Sequence, residues 1–114
     1  MASKIEFVEF VADQLRGAGE ITYKRMFGEY GLYCNGKFFA VICDDQLFVK
    51  MTEAGKAQYP DLPEAPPYEG AKNYFLLEDV DNRDMLAALA ETTCRQLPEP
   101  KPRKKKSKGE KDGV

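Results

Sequence analysis

The dipeptide Asn35-Gly36 restricts the fold more than any other feature of this chain. It separates two runs rich in aromatic and aliphatic residues, "YGLYC" and "KFFAVIC". A two-residue type I′ turn needs positive φ at both central positions, which Asn and Gly tolerate best. We therefore predict a tight β-hairpin with strands near residues 29–34 and 37–43.

The length of the hairpin loop predicts the strand register. With two loop residues, Cys34 lies opposite Lys37, and continuing the pairing places Leu32 opposite Phe39. Asp44-Asp45 predicts a second turn, followed by a third strand. The expected result is a three-stranded antiparallel meander.

The alternation of side chains along this meander predicts two different faces. One face is almost entirely apolar and is expected to lie on the core. It comprises Gly31, Tyr33, Phe38, Ala40, Ile42, Leu47, Val49 and Met51. The other face is polar at its ends and aromatic at its centre, and such a face is rarely left bare to water. Its central residues are the predicted interaction face: Tyr30, Leu32, Phe39, Val41 and Phe48.

Helical patterns flank the predicted sheet. Ser3 with Glu6 has the spacing of a capping box, an apolar stripe follows, and Gly17 supplies a left-handed stop. Asp81 with Asp84 predicts the start of a last helix, whose expected core contacts are Met85, Leu86, Leu89 and Leu97.

The segments between these helices complete the predicted fold. Strands are expected at residues 21–27 and 72–77, and a short helix capped by Thr52 should end before Pro60. The proline-rich "PDLPEAPPYEG" predicts a loop that cannot be a central strand. The expected class is α+β, with an antiparallel meander sheet packed against N- and C-terminal helices in two layers.

Composition and charge predict one domain with a basic tail. The chain of 114 residues is 43% hydrophobic and 32% charged, as in ordinary globular proteins. Residues 1–100 carry 10 Lys/Arg against 17 Asp/Glu, whereas residues 101–114 carry 7 against 2. We predict a domain over residues 1–98 and a disordered tail over 99–114.

The basic tail supports an alternative function as a nucleic-acid accessory protein. Its cations could neutralise phosphates, although no aromatic residue is interleaved to stack on bases. Solvation of a flexible end is the competing interpretation. The candidate contact residues are Arg103, Lys104, Lys105, Lys106 and Lys108.

Residue types argue against catalysis. The chain contains no histidine, the usual general base, and its three cysteines include no C-x-x-C pair. The predicted register separates Cys34 from Cys43 by about 20 Å along a strand, which excludes a disulfide between them. "DVDNRD" lacks the glycine and the terminal glutamate of a calcium loop. We therefore expect no catalytic residue, no metal site and no cofactor.

The chain's beginning and its hydropathy predict location. "MASKIEFVEFVADQ" lacks the charged, apolar and small-residue regions of a secretory signal. No apolar run approaches the roughly 20 residues that span a bilayer. A cytoplasmic protein with no membrane partner is the expectation.

The segment "RMFGEYGLYCNGKFFAVICDDQLFVK" closely resembles the N-terminal domain of the TfoX/Sxy competence-regulator family. "PPYEG" and "KNYFLL" extend the resemblance, which covers about residues 3–97. The second glycine often seen after Gly28 is Glu29 in this chain. The matching motif residues are Arg25, Met26, Phe27, Gly28, Tyr30, Gly31, Leu32, Gly36 and Asp45.

The resemblance implies a bacterial transcriptional regulator rather than an enzyme. Members of the family promote expression of natural competence genes together with the cyclic-AMP receptor protein. Full-length members also carry a helical C-terminal domain, and this chain has a lysine-rich tail in that place. We therefore expect a non-catalytic regulatory domain that binds a protein partner or a second copy of itself.

Overall fold

The computed structural model describes residues 3–26 and 28–97. In this range three α-helices and six β-strands form an α+β fold, as predicted. Their bounds in chain order are α1 Ile5–Gln14, β1 Ile21–Met26, β2 Glu29–Cys34, β3 Lys37–Cys43, β4 Gln46–Val49, α2 Glu53–Gln58, β5 Glu64–Ala65, β6 Tyr74–Leu77 and α3 Arg83–Gln96.

The six strands form one antiparallel sheet in the order β1-β2-β3-β4-β6-β5. Both predicted turns are confirmed. Asn35 and Gly36 have φ values of 52° and 84°, and Asp44 and Asp45 have 54° and 56°. β2 and β3 have the predicted bounds because the two-residue turn leaves little freedom at their junction.

The predicted β2–β3 register is correct next to the turn and wrong beyond it. Tyr33 pairs with Phe38, but Leu32 pairs with Ala40 rather than with Phe39. Phe39 is therefore the extra residue of a β-bulge on β3. Phe39 and Ala40, although consecutive, both join the same core and are fully buried. The bulge thus reverses the predicted faces along all of β2 and at the turn end of β3.

The hydrophobic core lies between one face of the sheet and the helices. α1 contributes Val8 and Val11, and α3 contributes Leu86 and Leu89. The strand residues in this core are Ile21, Tyr30, Leu32, Cys34, Phe39, Ala40, Ile42, Leu47, Val49, Phe75 and Leu77. We call this side of the sheet the core face. Two layers, helices and sheet, result as expected.

The start of α1 differs from the prediction because tertiary contacts occupy its predicted cap. Lys4 occupies the N-cap position without a side-chain hydrogen bond, so Ser3 and Glu6 do not form a capping box. The Ser3 hydroxyl instead accepts from the Asp45 N–H at 2.8 Å. Gly17 is also not the left-handed stop, since it lies in a 3₁₀ turn over Arg16–Ala18.

The caps of the other helices follow local rules. Asn82, not Asp81, caps α3, because its side chain accepts from the Met85 N–H at 3.2 Å. The predicted Thr52 cap of α2 is confirmed, with Thr52 Oγ1 accepting from the Gly55 N–H at 3.0 Å. Thus one short polar side chain begins each of these helices.

The proline-rich segment reaches the sheet at one point. Within the predicted loop, Glu64–Ala65 forms the two-residue strand β5, which pairs with β6 at the sheet edge. Pro63 and Pro66 flank it, in keeping with the confinement of proline to edges. The predicted tail over residues 99–114 lies outside the described residues. In the described range no helix is long and apolar enough to cross a membrane.

Candidate functional site

The side of the sheet opposite the helices carries buried apolar residues that do not belong to the core. The buried apolar residues of α1 and α3 all belong to the core, whereas Val41 and Phe48 are buried but lie outside it. We call this second side the open face. Its strand residues include Lys24, Met26, Glu29, Gly31, Tyr33, Phe38, Val41, Cys43, Phe48, Lys50 and Tyr74.

A cavity of about 660 Å³ opens on this face. β1, β2 and β3 form its floor, while β6 and the proline-rich loop form one side. Tyr68 of that loop is 60% exposed and stands at the cavity beside Tyr74. The lining is largely apolar and aromatic: Met26, Glu29, Tyr30, Phe38, Val41, Cys43, Tyr68 and Tyr74. Such a concave surface with few polar groups is the usual form of a binding pocket.

A glycine in β2 gives this cavity part of its shape. A Cβ atom on Gly31 would lie 2.9 Å from Phe38 Cε1 and 3.0 Å from Met26 Cε. A larger residue at position 31 would therefore require the ring of Phe38 and the thioether of Met26 to shift from their positions over β2. Both of these side chains line the cavity.

Two lysines lie over aromatic rings of the open face. Lys24 Nζ lies 5.5 Å from the ring centroid of Tyr33, and Lys50 Nζ lies 4.6 Å from that of Phe38. The Tyr33 and Phe38 centroids are 5.5 Å apart. These are cation–π distances, so Lys50 is positioned over a ring that lines the cavity and Lys24 over the neighbouring ring of Tyr33. Burial lowers the pKa of Lys50.

A cluster of hydrogen bonds joins residues near the N-terminus to the end of the sheet at Glu29. We call this cluster the N-terminal clasp, and it comprises Ser3, Lys4, Glu29, Asp44 and Asp45. The two carboxylate oxygens of Glu29 accept from the backbone N–H groups of Ser3, at 2.9 Å, and Asp44, at 2.8 Å. The Lys4 N–H donates to Asp45 Oδ1 at 2.9 Å. Partial burial acts to raise the pKa of Glu29, but the hydrogen bonds from Asp44 and Ser3 outweigh it and the pKa is lowered.

The cysteines divide between the two faces. All three are free thiols. Cys43 is half-buried in the cavity, and its pKa is raised by burial and by Glu29 and Asp44. Cys34 lies in the core, where burial and its neighbour Cys94 raise its pKa to about 12. Cys94 Sγ donates to the Cys34 carbonyl oxygen at 3.4 Å, a proximity the sequence prediction missed.

Comparison with known proteins decides the family. The family model described as TfoX N-terminal domain matches residues 13–97. The chain belongs to this family. An "Uncharacterized 12.7 kDa protein in trpE 5'region" from Spirochaeta aurantia is 37% identical over 109 residues, which is 95% of this chain and 95% of that one. This relative's description names no activity.

The motif residues of the TfoX domain shape the two faces and the turns. Arg25 lies over the ring of Tyr30, with 5.8 Å between its guanidinium carbon and the ring centroid. Leu32 lies in the core. Gly28 has φ of 80° in the β1–β2 turn. Phe27 lies outside the described residues. Motif residues thus contribute to the floor of the cavity, through Met26 and Tyr30, and to the turns beside it.

The interaction face predicted from the sequence is divided between both sides of the sheet. Tyr30, Leu32 and Phe39 belong to the core, although Tyr30 also borders the cavity, and Val41 and Phe48 lie on the open face. The cause is the bulge at Phe39, which shifts the alternation of β2 relative to β3. Sequence reasoning assigned to the core three residues that lie on the open face, namely Gly31, Tyr33 and Phe38.

The cavity residues Met26, Tyr68 and Tyr74 were also missed as a group, because the loop and β6 are distant in sequence from the hairpin. For the bulge at Phe39, the sequence did offer a signal. The unbroken apolar run in "KFFAVIC" departs from strict alternation and is compatible with a bulge. Among the described residues no group of three or more His, Cys, Asp or Glu could hold a metal ion.

Proposed function

We propose that this TfoX N-terminal domain is a non-catalytic regulatory domain that docks a protein partner on its open face. The observation that carries the proposal is the apolar cavity of about 660 Å³ on the side of the sheet opposite the helices. A concave apolar surface of this kind, rimmed by polar groups, is typical of interaction sites. The regulatory part of the proposal comes from membership of the family.

The chemistry of the cavity supports binding rather than catalysis. The raised pKa of Cys43 keeps the thiol protonated, and thiols are weak nucleophiles in that form. Burial, with Tyr68 and Cys43 as lesser causes, raises the pKa of Tyr74 and keeps its phenol neutral. Both oxygens of Glu29 are engaged by backbone N–H groups. These groups are therefore not prepared for proton transfer near neutral pH.

The exposed aromatic residue Phe10 of α1 provides a matched control for a test of this function. Phe10 is 41% exposed and lies on the helical side of the domain. We expect Phe38→Ala to lose the partner captured by the wild-type chain from its own cell lysate, and Phe10→Ala to retain it. Circular dichroism should show that both variants are folded. Retention of every partner by folded Phe38→Ala would contradict docking on the open face.

The docking hypothesis also includes self-association, in which the partner is a second copy of the chain. Sedimentation at micromolar concentration distinguishes it: a wild-type dimer that Phe38→Ala converts to monomer would identify a second copy as the partner. A wild-type monomer directs the search to other proteins.

The nucleic-acid alternative rests on the tail, whose residues lie outside the described range. It stays a proposal supported by charge alone. Truncation at Glu99 should then abolish DNA or RNA binding at low salt. Failure of the intact chain to bind either nucleic acid under these conditions would remove the alternative.

A further inference from the structure

The open face of this acidic protein carries two lysines near one end of the cavity. Residues 1–100 carry an excess of acids, and α1 bears three acidic residues with no Lys or Arg. On the open face the side chains of Lys24 and Lys50 stand over two adjacent rings. Charges held in place by rings lose less freedom on binding than charges on free side chains do. Lys50 therefore adjoins the cavity at Phe38, and Lys24 lies one ring further away, over Tyr33.

The acidic group nearest to the cavity is already engaged. Glu29 accepts from the backbone N–H groups of Ser3 and Asp44 and stays ionised, and it lies near Cys43, at the end of β3 away from Phe38. Its charge is therefore separated from Lys50, which stands over Phe38. The face combines an apolar recess with cations at its border.

We propose that the open face recognises an acidic peptide segment whose apolar side chains enter the cavity and whose carboxylates pair with Lys24 and Lys50. The proposal deepens the docking function and rests on it. The cavity is large enough for a small cluster of apolar side chains. The lysines supply charge complementarity, which selects partners and accelerates encounter.

Other occupants fit this face less well. A second copy would bring the same two lysines to the interface, and the chain's own residues 101–114 carry seven basic residues against two acidic ones. Both occupants would place like charges together. Single-stranded nucleic acid needs free ring faces for stacking, but Lys50 stands over Phe38 and Lys24 over Tyr33.

Fluorescence anisotropy with three short synthetic peptides tests the proposal on the full chain. The first peptide combines Leu and Phe with Asp and Glu. The second replaces its acids by Lys, and the third replaces its apolar residues by Ser. Only the first should bind, and its affinity should fall as salt is raised from low to physiological concentration because exposed charge pairs are screened. Equal binding of the first and second peptides would overturn the charge assignment.

Two double variants of equal net charge supply the control. K24Q/K50Q should weaken binding of the acidic peptide by about 3- to 10-fold, in line with the small contribution of exposed ion pairs. K56Q/R95Q removes two cations from α2 and α3 and should leave the affinity unchanged. Equal loss in both double variants would show a non-specific charge effect and would overturn the proposal.

The outcomes separate this proposal from the docking function. If Phe38→Ala loses a cellular partner while the acidic peptide shows no selective binding, the charge assignment fails and docking stands. If Phe38→Ala retains every partner, docking itself fails. A single-stranded oligonucleotide that displaces the acidic peptide and binds more tightly would overturn the peptide in favour of nucleic acid.

Discussion

The two faces of one sheet place neighbouring residues of the same type in opposite environments. Phe39 is fully buried among the helices, whereas Phe38 is half-buried on the open face beneath the ammonium group of Lys50. The bulge produces this contrast by adding one residue to β3. Phe39 is therefore expected to contribute more to the stability of the fold than Phe38.

The largest expected effect comes from exchanging the two phenylalanines for alanine. Phe39→Ala should lower the free energy of unfolding by about 3–5 kcal/mol, because it leaves a cavity in the core. Phe38→Ala should cost only about 1 kcal/mol, since part of its ring is already in solvent. Urea denaturation measures both values. A greater loss for Phe38→Ala would contradict the bulge and restore the simple register.

Thiol labelling compares the faces without changing the packing. Cys43 should react first with an aromatic disulfide reagent, while Cys34 and Cys94 should react at least ~100-fold more slowly because they require opening of the core. Cys34 is fully buried with a pKa raised to about 12, and Cys94 is 7% exposed. The control Cys43→Ser should lose only the fast phase. A fast phase that persists in Cys43→Ser would place another thiol on the surface.

Glu29→Gln tests how the N-terminal clasp supports the open face. The pKa of Glu29 is lowered in the folded protein from its usual 4.5, so its stabilisation is complete above that value and is lost as pH falls through the folded pKa. At neutral pH the variant should be less stable by about 1 kcal/mol. The difference from the wild type should shrink in acid, as followed by thermal unfolding at several pH values. A difference that stays constant down to pH about 3 would show that ionisation of Glu29 contributes nothing.

The smallest expected effect concerns the turn beside the clasp. Asp44→Asn should raise the free energy of unfolding by about 0.5 kcal/mol, because Asn tolerates positive φ better and removes a charge next to Asp45. Asp61→Asn, in the exposed proline-rich loop, is the control and should change little. Chemical denaturation distinguishes the two. Equal stabilisation in both variants would indicate a general charge effect instead of relief at the turn.

Local turn chemistry made much of the sheet predictable. Asn35-Gly36 demands positive φ at two successive residues, so the bounds of β2 and β3 followed from the sequence. Thr52 similarly predicted the start of α2. The prediction that Ser3 caps α1 was wrong, because the Ser3 hydroxyl accepts a hydrogen bond from the backbone N–H of Asp45, 42 residues away. Rules based on neighbouring residues do not contain such a contact.

The candidate site was predictable only in outline. An aromatic second face of the sheet was expected and is present, but its membership depends on a bulge between two apolar residues. Phe39 and Ala40 are both compatible with either face, so hydropathy does not choose between them. The Tyr68 side of the cavity arises from a loop that packs beside β6, and no spacing rule links those residues to Met26.

The N-terminal clasp also bears on the order of folding. β2, β3 and β4 are joined by two-residue turns and can pair early, whereas the hydrogen bond between Lys4 and Asp45 joins residues 41 positions apart in sequence. Because closing such a long loop is entropically costly, our hypothesis is that this contact forms after the transition state. Weakening it at Glu29 should then accelerate unfolding and leave the refolding rate nearly unchanged. In this hypothesis the clasp controls the rate of unfolding, and the hairpin turns control the rate of folding.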